Sequence, residues 1–245
     1  MHVEVPFHCD LRVNNPPLQK NSTFVLYYSA TVASSPAQHC VGAATSSNIE
    51  GPYKPSDQPF ACPLEIGGAI DADGFFDPFT GSRYVVYKVD GNSLGHGGAC
   101  KNGVEPLVPT PIYLQEVEED GVTTIGEPVS ILDRTDDDGP LVEAPSMHVS
   151  NEGVYFLFFS SNCYTTTKYD VKYATATNIS GPYTRAEGAL LTTGDGPNLI
   201  APGGPDVASD PGGYMVFHAD MGSSDGRLRE RYTARPKFKG TKVTI

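Results

Sequence analysis

The sequence predicts an all-β protein, built as a β-propeller from repeated small sheets. A run of aromatic and β-branched residues recurs four times, at intervals of roughly 60 to 70 residues. A second element follows that run at a fixed offset, and Gly 26 and Pro 21 supply many short turns between strands. No segment has the pattern of a long amphipathic helix.

The recurring run predicts one inner strand in each repeat. Three of the four copies follow turn residues typical of a hairpin, for example Asp77–Gly81 and Asn151–Gly153. Each copy is therefore predicted to be the second strand of a hairpin. The four copies are Phe24–Tyr28, Tyr84–Lys88, Tyr155–Phe159 and Tyr214–His218.

The second element strengthens the case for a repeat. Val41–Ser46 leads to Gly51-Pro52-Tyr53, and Val171–Ala176 leads to Gly181-Pro182-Tyr183 at nearly the same offset. Weaker counterparts, Tyr113–Glu116 and Arg231–Ala234, follow the other two copies. Sheets of three or four strands that recur in this way indicate four propeller blades. The alternative is a β-sandwich or jelly roll, which shares short strands and Gly/Pro turns but predicts no repeated interval.

Composition limits the partners and the compartment. The 245 residues carry a formal net charge of -12, which disfavours nucleic acid and anionic membranes but not a neutral ligand. No apolar run is long enough to span a membrane, and no signal peptide is recognised at the start. The sequons at Asn21 and Asn178 fit an extracellular protein.

The five cysteines show no C-x-x-C spacing, so neither a zinc site nor a thioredoxin-like motif is predicted. Free buried thiols and one or two disulfides both remain open, and the odd count leaves at least one cysteine unpaired within the chain. His39, His96 and His148 have no metal-ligand spacing. The acidic runs 118–120 and 136–138 are more typical of solvated loops than of calcium sites.

Two acids stand where a strand pattern would place an apolar or small residue. Asp71 opens the second repeat and Glu143 opens the third, each a dozen or so residues before the aromatic strand. Comparable placement in consecutive blades predicts that both carboxylates reach one end of a shared channel. Considered singly, Asp71 is more typical of an aspartate in a turn, and Glu143 of a glutamate on the surface. Together they suit glycoside hydrolysis, with Glu143 as proton donor because its sequence neighbours are apolar.

Several other residues are candidates for contacting a sugar. Trp is absent, so stacking would use Phe75, Phe76 or Tyr164. The polar segment after the third aromatic strand, with Ser160 and Asn162, is either a sugar-contacting loop or a plain turn. His218 ends a strand and is either a substrate contact or a structural histidine.

These segments resemble glycoside hydrolase family 43. The resemblance rests on Ala69-Ile70-Asp71, on Leu141–Ser146 with the following aromatic strand, and on the Tyr-Ala-Thr…Gly-Pro-Tyr segment, and it runs from about residue 21 to residue 245. It is nearest to secreted fungal arabinanases and arabinofuranosidases. It implies a five-bladed propeller that cleaves α-L-arabinofuranosides or β-D-xylosides of plant cell-wall polysaccharide with inversion.

The same resemblance assigns roles to the two acids. Glu143 corresponds to the general acid, and Asp71 to the aspartate that adjusts the acid's proton affinity and orients it. No cofactor is required, although a structural calcium in the channel is conceivable for this family. The expected molecule is a monomeric, extracellular enzyme that binds an oligo- or polysaccharide.

The start of the chain departs from the family. The general base, another Asp, belongs on a first blade that no segment matches, and Met1–Asp10 stands where a Trp-Ala-Pro-Asp segment is expected. Asp10 has no blade-opening pattern around it, so we do not expect it to replace the base. The sequence thus predicts an atypical segment over 1–20 and a propeller over 21–245, incomplete at its N-terminus and possessing four recognisable blades.

The missing base leaves other functions open. Loss of the water-activating carboxylate would impair hydrolysis by orders of magnitude, so a carbohydrate-binding propeller without turnover is the main alternative. A propeller that binds proteins is a third reading, but it does not explain two acids converging on one channel.

Overall fold

The structure, a computed structural model, describes residues 10–12, 23–208, 213–222 and 228–245, and their strands form four antiparallel sheets and one hairpin. We call the four sheets blades 1 to 4, in chain order. Four 3-10 helices complete the regular structure of these residues, at Leu64–Ile66, Gly91–Leu94, Ala99–Lys101 and Asp136–Asp138.

The strands of each blade follow one another outwards in chain order. Blade 1 comprises β1 (Asp10–Arg12), β2 (Phe24–Val32), β3 (Ser35–Ser46) and β4 (Lys54–Pro55); blade 2 comprises β5 (Ala69–Phe76), β6 (Arg83–Val89), β7 (Ile112–Val117) and β8 (Thr124–Leu132). Blade 3 comprises β9 (Val142–Val149), β10 (Tyr155–Ser161), β11 (Asp170–Ala176) and β12 (Thr184–Arg185). Blade 4 comprises β13 (Gly203–Val207), β14 (Met215–Asp220) and β15 (Arg229–Ala234), and the hairpin comprises β16 (Lys237–Lys239) and β17 (Lys242–Thr244).

The predicted repeat is confirmed. The four aromatic runs form the second strand of each blade, β2, β6, β10 and β14. The segments that follow them supply the third strands, and both Gly-Pro-Tyr turns lead into a short outer strand. Four blades are thus present, as the sequence predicts.

Packing between neighbouring blades explains why the second strands are so apolar. In β10, Phe156 and Phe158 face the cluster shared with blade 4, whereas Leu157 and Phe159 face the cluster shared with blade 2. Successive side chains of a strand point to opposite faces, so a strand between two blades needs apolar side chains on both faces. Every residue of β10 is buried.

The innermost strand of blade 1 contains Asp10. This strand, β1, pairs with β2, with Asp10 opposite Tyr27. Asp10 thus lies in a blade-opening strand although its surroundings carry no such sequence pattern, and the expectation that it does not replace the base stays a prediction. The proposed boundary between 1–20 and 21–245 stays a prediction.

Two disulfides are present: one joins Cys40 in β3 to Cys62, and the other joins Cys100 in the third 3-10 helix to Cys163. They decide between the free thiols and the disulfides that the sequence left open for these four residues, while Cys9 lies outside the described residues. Within the described part of the chain, we find no helix with the length and apolarity of a membrane span.

Candidate active site

The inner strands of blades 2 to 4 each contain a bulge at the same point. In blade 2 the register shifts between Ile70 and Asp73, in blade 3 between Glu143 and Ser146, and in blade 4 between Gly203 and Asp206. A bulge leaves a residue outside the ladder and re-aims its neighbours. The first bulged residue has a positive φ in each case: 56° at Asp71, 49° at Ala144 and 61° at Gly204.

The register shows that Asp71 and Glu143 are neighbours in space but not equivalent in the repeat. Glu143 pairs with Ser160 in the way that Ile70 pairs with Lys88, and Asp71 corresponds to Ala144. The two acids are thus offset by one residue, which corrects the assumption of matched positions. The bulge nevertheless brings them together, because the backbone N–H of Ala144 donates to Asp71 Oδ2 at 3.0 Å.

Both oxygens of Glu143 have partners. Lys88 Nζ donates to Glu143 Oε2 at 3.2 Å, and the hydroxyl of Tyr169 donates to Oε1 at 2.6 Å. Lys88 Nζ also lies 3.2 Å from Asp90 Oδ1. The surroundings of this carboxylate are therefore polar and cationic, and the apolar environment inferred from its sequence neighbours is wrong. The Glu143 side chain is 14% exposed.

The two donors are held in their protonated forms. Burial alone would lower the pKa of the Lys88 ammonium, but the carboxylates of Glu143, Asp90 and Asp71 outweigh burial, and the pKa is raised. Burial, and next the charge of Glu143, raise the pKa of the Tyr169 hydroxyl well above its ordinary value. Both groups remain donors near neutral pH.

A cavity of about 400 Å³ opens beside Asp71, and all four blades contribute to its wall. Ala144, the residue after Glu143, lines the cavity, whereas Glu143 itself does not. Ligand sites of roughly 300–1,000 Å³ are typical of proteins that bind small molecules. Polar lining residues are Tyr28 and Ser29 from blade 1, Asp71 and Asp73 from blade 2, Ser146 from blade 3, and Asp206, His218 and Arg231 from blade 4.

Two predicted sugar contacts are wrong because the side chains are inaccessible. Phe75 is 0% exposed and packs edge-on against Tyr155 in the cluster between blades 2 and 3. Ser160 is also 0% exposed, and its hydroxyl accepts the backbone N–H of Gly204 at 2.8 Å. Strand alternation beyond the bulge places Phe75 in the interface between blades, which the sequence alone does not reveal.

The remaining candidates stay predictions. His218 lines the cavity and stacks on Tyr169 with ring centroids 6.1 Å apart. Tyr164 is 40% exposed and lies under the guanidinium of Arg229, 4.7 Å from the ring centroid. Asn162 is half-buried and donates from Nδ2 to Ser161 Oγ at 3.2 Å.

The acids of the charged loops have partners within the protein. The buried Asp138 contacts Lys172 Nζ and Arg185, and Asp120 accepts the backbone N–H groups of Val122 and Thr123. Across the described ranges, no group of three or more His, Cys, Asp or Glu side chains is arranged to hold a metal ion. The calcium that the family resemblance suggests stays a prediction.

Sequence reasoning missed Lys88 and Tyr169. The sequence pattern places Lys88 at the end of an apolar strand. A lysine inside such a strand indicates a buried charge that needs a partner. Tyr169 precedes β11 in a polar loop and carries no local signal of its contact with Glu143, which lies 26 positions earlier in the chain.

Comparison with known proteins identifies the class. The family model for glycosyl hydrolases family 43 matches residues 17–239, so the chain belongs to this family. It is thus a glycoside hydrolase by family, a class that acts on O-glycosyl bonds. No curated protein sequence matches the chain.

Solved structures share the fold. A thermostable family-43 glycoside hydrolase superimposes with a TM-score of 0.74 at 24% identity, covering 92% of this chain and 71% of that one. An endo-1,4-beta-xylanase from Bacteroides thetaiotaomicron gives 0.72 at 22% identity, covering 97% and 74%. An endo-arabinase from the same organism gives 0.68 at 16% identity, covering 92% and 74%.

Proposed function

We propose that this protein hydrolyses α-L-arabinofuranosyl or β-D-xylosyl linkages of plant cell-wall polysaccharide with inversion, using Glu143 as general acid. The observation that carries the proposal is the junction of Glu143 with Asp71 beside a cavity lined by all four blades. The xylanase and the arabinase that share the fold support these two sugar classes.

Glu143 protonates the glycosidic oxygen as the bond to the anomeric carbon breaks. A carboxyl group has about four lone-pair directions, so the bonds from Lys88 and Tyr169 leave others free to carry the proton. Asp71 acts on the backbone beside the acid, because its Oδ2 accepts the N–H of Ala144. It is a positioning residue in this scheme.

Inversion also needs a carboxylate that activates water on the opposite side of the sugar. Besides Asp71, two other aspartates line the cavity, Asp73 and Asp206. Asp73 is almost fully buried, whereas Asp206 is partly exposed. D206N tests whether Asp206 is this carboxylate: a rate at least about 100-fold below wild type that azide restores would support that role, and wild-type rates in D206N would exclude it.

Sugar release tests the proposal directly. The wild-type protein should release reducing sugar from linear arabinan or from xylan, and E143Q should lose at least about 100-fold of that rate. E187Q is the matched control, since Glu187 is exposed and lines no part of this cavity. Saturable oligosaccharide binding without any release would favour the non-catalytic carbohydrate-binding alternative instead.

We also propose that the protein is extracellular and monomeric. Two disulfides are typical of oxidising compartments, and the sequon residue Asn178 is exposed on a turn. One chain supplies all four blades that line the cavity. Secretion from a eukaryotic host should yield a glycosylated monomer on size-exclusion chromatography, and retention of an unglycosylated protein in the cells would contradict the extracellular proposal.

A further inference from the structure

The residue at position 88 differs in type from its equivalents in blades 1 and 3. Lys88 in blade 2 pairs with Ile70 as Ser160 pairs with Glu143 in blade 3, so the two residues are equivalent. Ser29 holds the same place in blade 1, since it meets the bulge of the next blade just as Ser160 does. Two of these blades thus carry serine and one carries lysine.

The two serines accept backbone hydrogen bonds that a lysine cannot accept. Ser29 Oγ accepts the N–H of Asp71 at 3.3 Å, and Ser160 Oγ accepts the N–H of Gly204 at 2.8 Å. Each bond ties a bulge to the preceding blade. An ammonium has no lone pair to accept with, so the corresponding N–H, that of Ala144, donates to Asp71 Oδ2 instead.

Lys88 is therefore free to contact acids. Its side chain is 1% exposed, and its Nζ lies 3.2 Å from both Glu143 Oε2 and Asp90 Oδ1. The charged and titratable groups that face it are Asp71 from β5, Asp90 at the end of β6 and Glu143 from β9, with Tyr169 on the far oxygen of Glu143. A buried ammonium is tolerated only with such compensation.

We propose that Lys88 is a positioning residue that fixes the carboxyl of Glu143 beside the cavity. The inference rests on the proposed function, in which Glu143 delivers a proton. The ammonium holds one oxygen in place and Tyr169 holds the other, so the carboxyl plane is fixed by two donors. Loss of Lys88 leaves Glu143 Oε2 without its donor.

K88M tests the proposal with a side chain of similar length and no charge. We expect kcat to fall at least about 10-fold with KM within about 3-fold, because removing a positioning contact acts on the transition state.

K172M is the matched control. Lys172 Nζ contacts the buried Asp138 at 2.9 Å, and neither residue lines the cavity. K172M should lose stability but keep the wild-type kcat and KM. A folded K88M with kcat within about 3-fold of wild type would overturn the proposal.

A second variant and a second measurement cover the other outcomes. If K88M does not fold, K88S introduces the residue found in blades 1 and 3 and should show the same loss of kcat with KM within about 3-fold. Thermal unfolding of K88M, E143Q and the double variant measures the coupling without any catalysis. We expect non-additive losses, and additive losses would overturn the proposal. If the wild type hydrolyses nothing, the proposed function fails while this cycle still decides whether Lys88 holds Glu143.

Discussion

Tyr169 shows how much of this site depends on a single hydroxyl. Its ring is buried between the acid and His218, and its hydroxyl donates to Glu143 Oε1 at 2.6 Å. Gly203 permits this placement, because a Cβ there would lie 1.9 Å from the Tyr169 ring. The loop that carries Tyr169 thus contributes directly to the geometry of the acid.

Y169F should keep the ring and lose that donor. A hydrogen bond to a charged group contributes about 1.5–3 kcal/mol, so we expect kcat to fall roughly 10- to 100-fold. Initial rates on an unactivated arabino- or xylo-oligosaccharide measure the loss. Y232F is the control, since the Tyr232 hydroxyl contacts only the exposed Glu230 side chain among the described contacts. Equal rates for Y169F and Y232F would show that the Tyr169 hydroxyl does not act on Glu143.

At the residue scale, the sequence identifies the acids but not their partners. Asp71 and Glu143 stand out as polar residues at blade openings, and the structure brings them into one junction. Phe75 fails as a sugar contact because the side on which a strand residue points depends on the bulge before it. Lys88 and Tyr169 depend on contacts between segments far apart in the chain, which local patterns do not encode.

At the scale of elements, the hairpin turn of blade 2 is fastened to blade 3. The buried Asp77 accepts from Phe79 N–H and Thr80 Oγ1 within its own turn, and Tyr155 donates to Asp77 Oδ2 at 2.9 Å. Burial, and next the bond to Asp77, raise the pKa of Tyr155 to about 12. This contact joins the first turn of one blade to the second strand of the next.

Y155F should destabilise the protein without altering the contacts of Asp71 or Glu143. Removing one partner of a buried hydrogen bond costs about 1–3 kcal/mol, and denaturant unfolding should show a loss of that size. Y53F is the control, because the Tyr53 hydroxyl bonds to the carbonyl of Ile49 on an exposed turn. Equal stability of Y155F and Y53F would contradict the fastening role of the Tyr155 hydroxyl.

The elements themselves were readable from the sequence, but the bulges were not. Aromatic and β-branched runs flanked by turn residues correctly predict β2, β6, β10 and β14 as second strands. A bulge adds one residue to a ladder and leaves little trace in the hydrophobic pattern. The offset between Asp71 and Glu143, and the pairing of β1 with β2, therefore became visible only in the structure.

At the scale of the whole molecule, buried tyrosines make the stability of the fold depend on pH in the alkaline range. Burial is the leading cause of raised pKa values at Tyr27, Tyr87, Tyr155 and Tyr183. A raised pKa in the folded state gives stability that is fully present below the unfolded value, about 10, and is lost as pH rises through the folded value. The blades should therefore resist tyrosine ionisation until they unfold.

An alkaline titration tests this coupling. Tyrosinate absorbance and circular dichroism should change together in one steep transition above about pH 10. Gradual ionisation of all tyrosines near pH 10 with the β-sheet signal intact would contradict the account.

The proton delivered by Glu143 can be measured through the leaving group. A general acid matters most when the leaving oxygen is a poor leaving group and little when it is already activated. E143Q should therefore lose at least about 100-fold of the wild-type rate on an unactivated arabino- or xylo-oligosaccharide and far less on a dinitrophenyl glycoside. An E143Q variant that loses the same factor on both substrates, or that retains the wild-type rate on the oligosaccharide, would contradict the assignment of Glu143 as the acid.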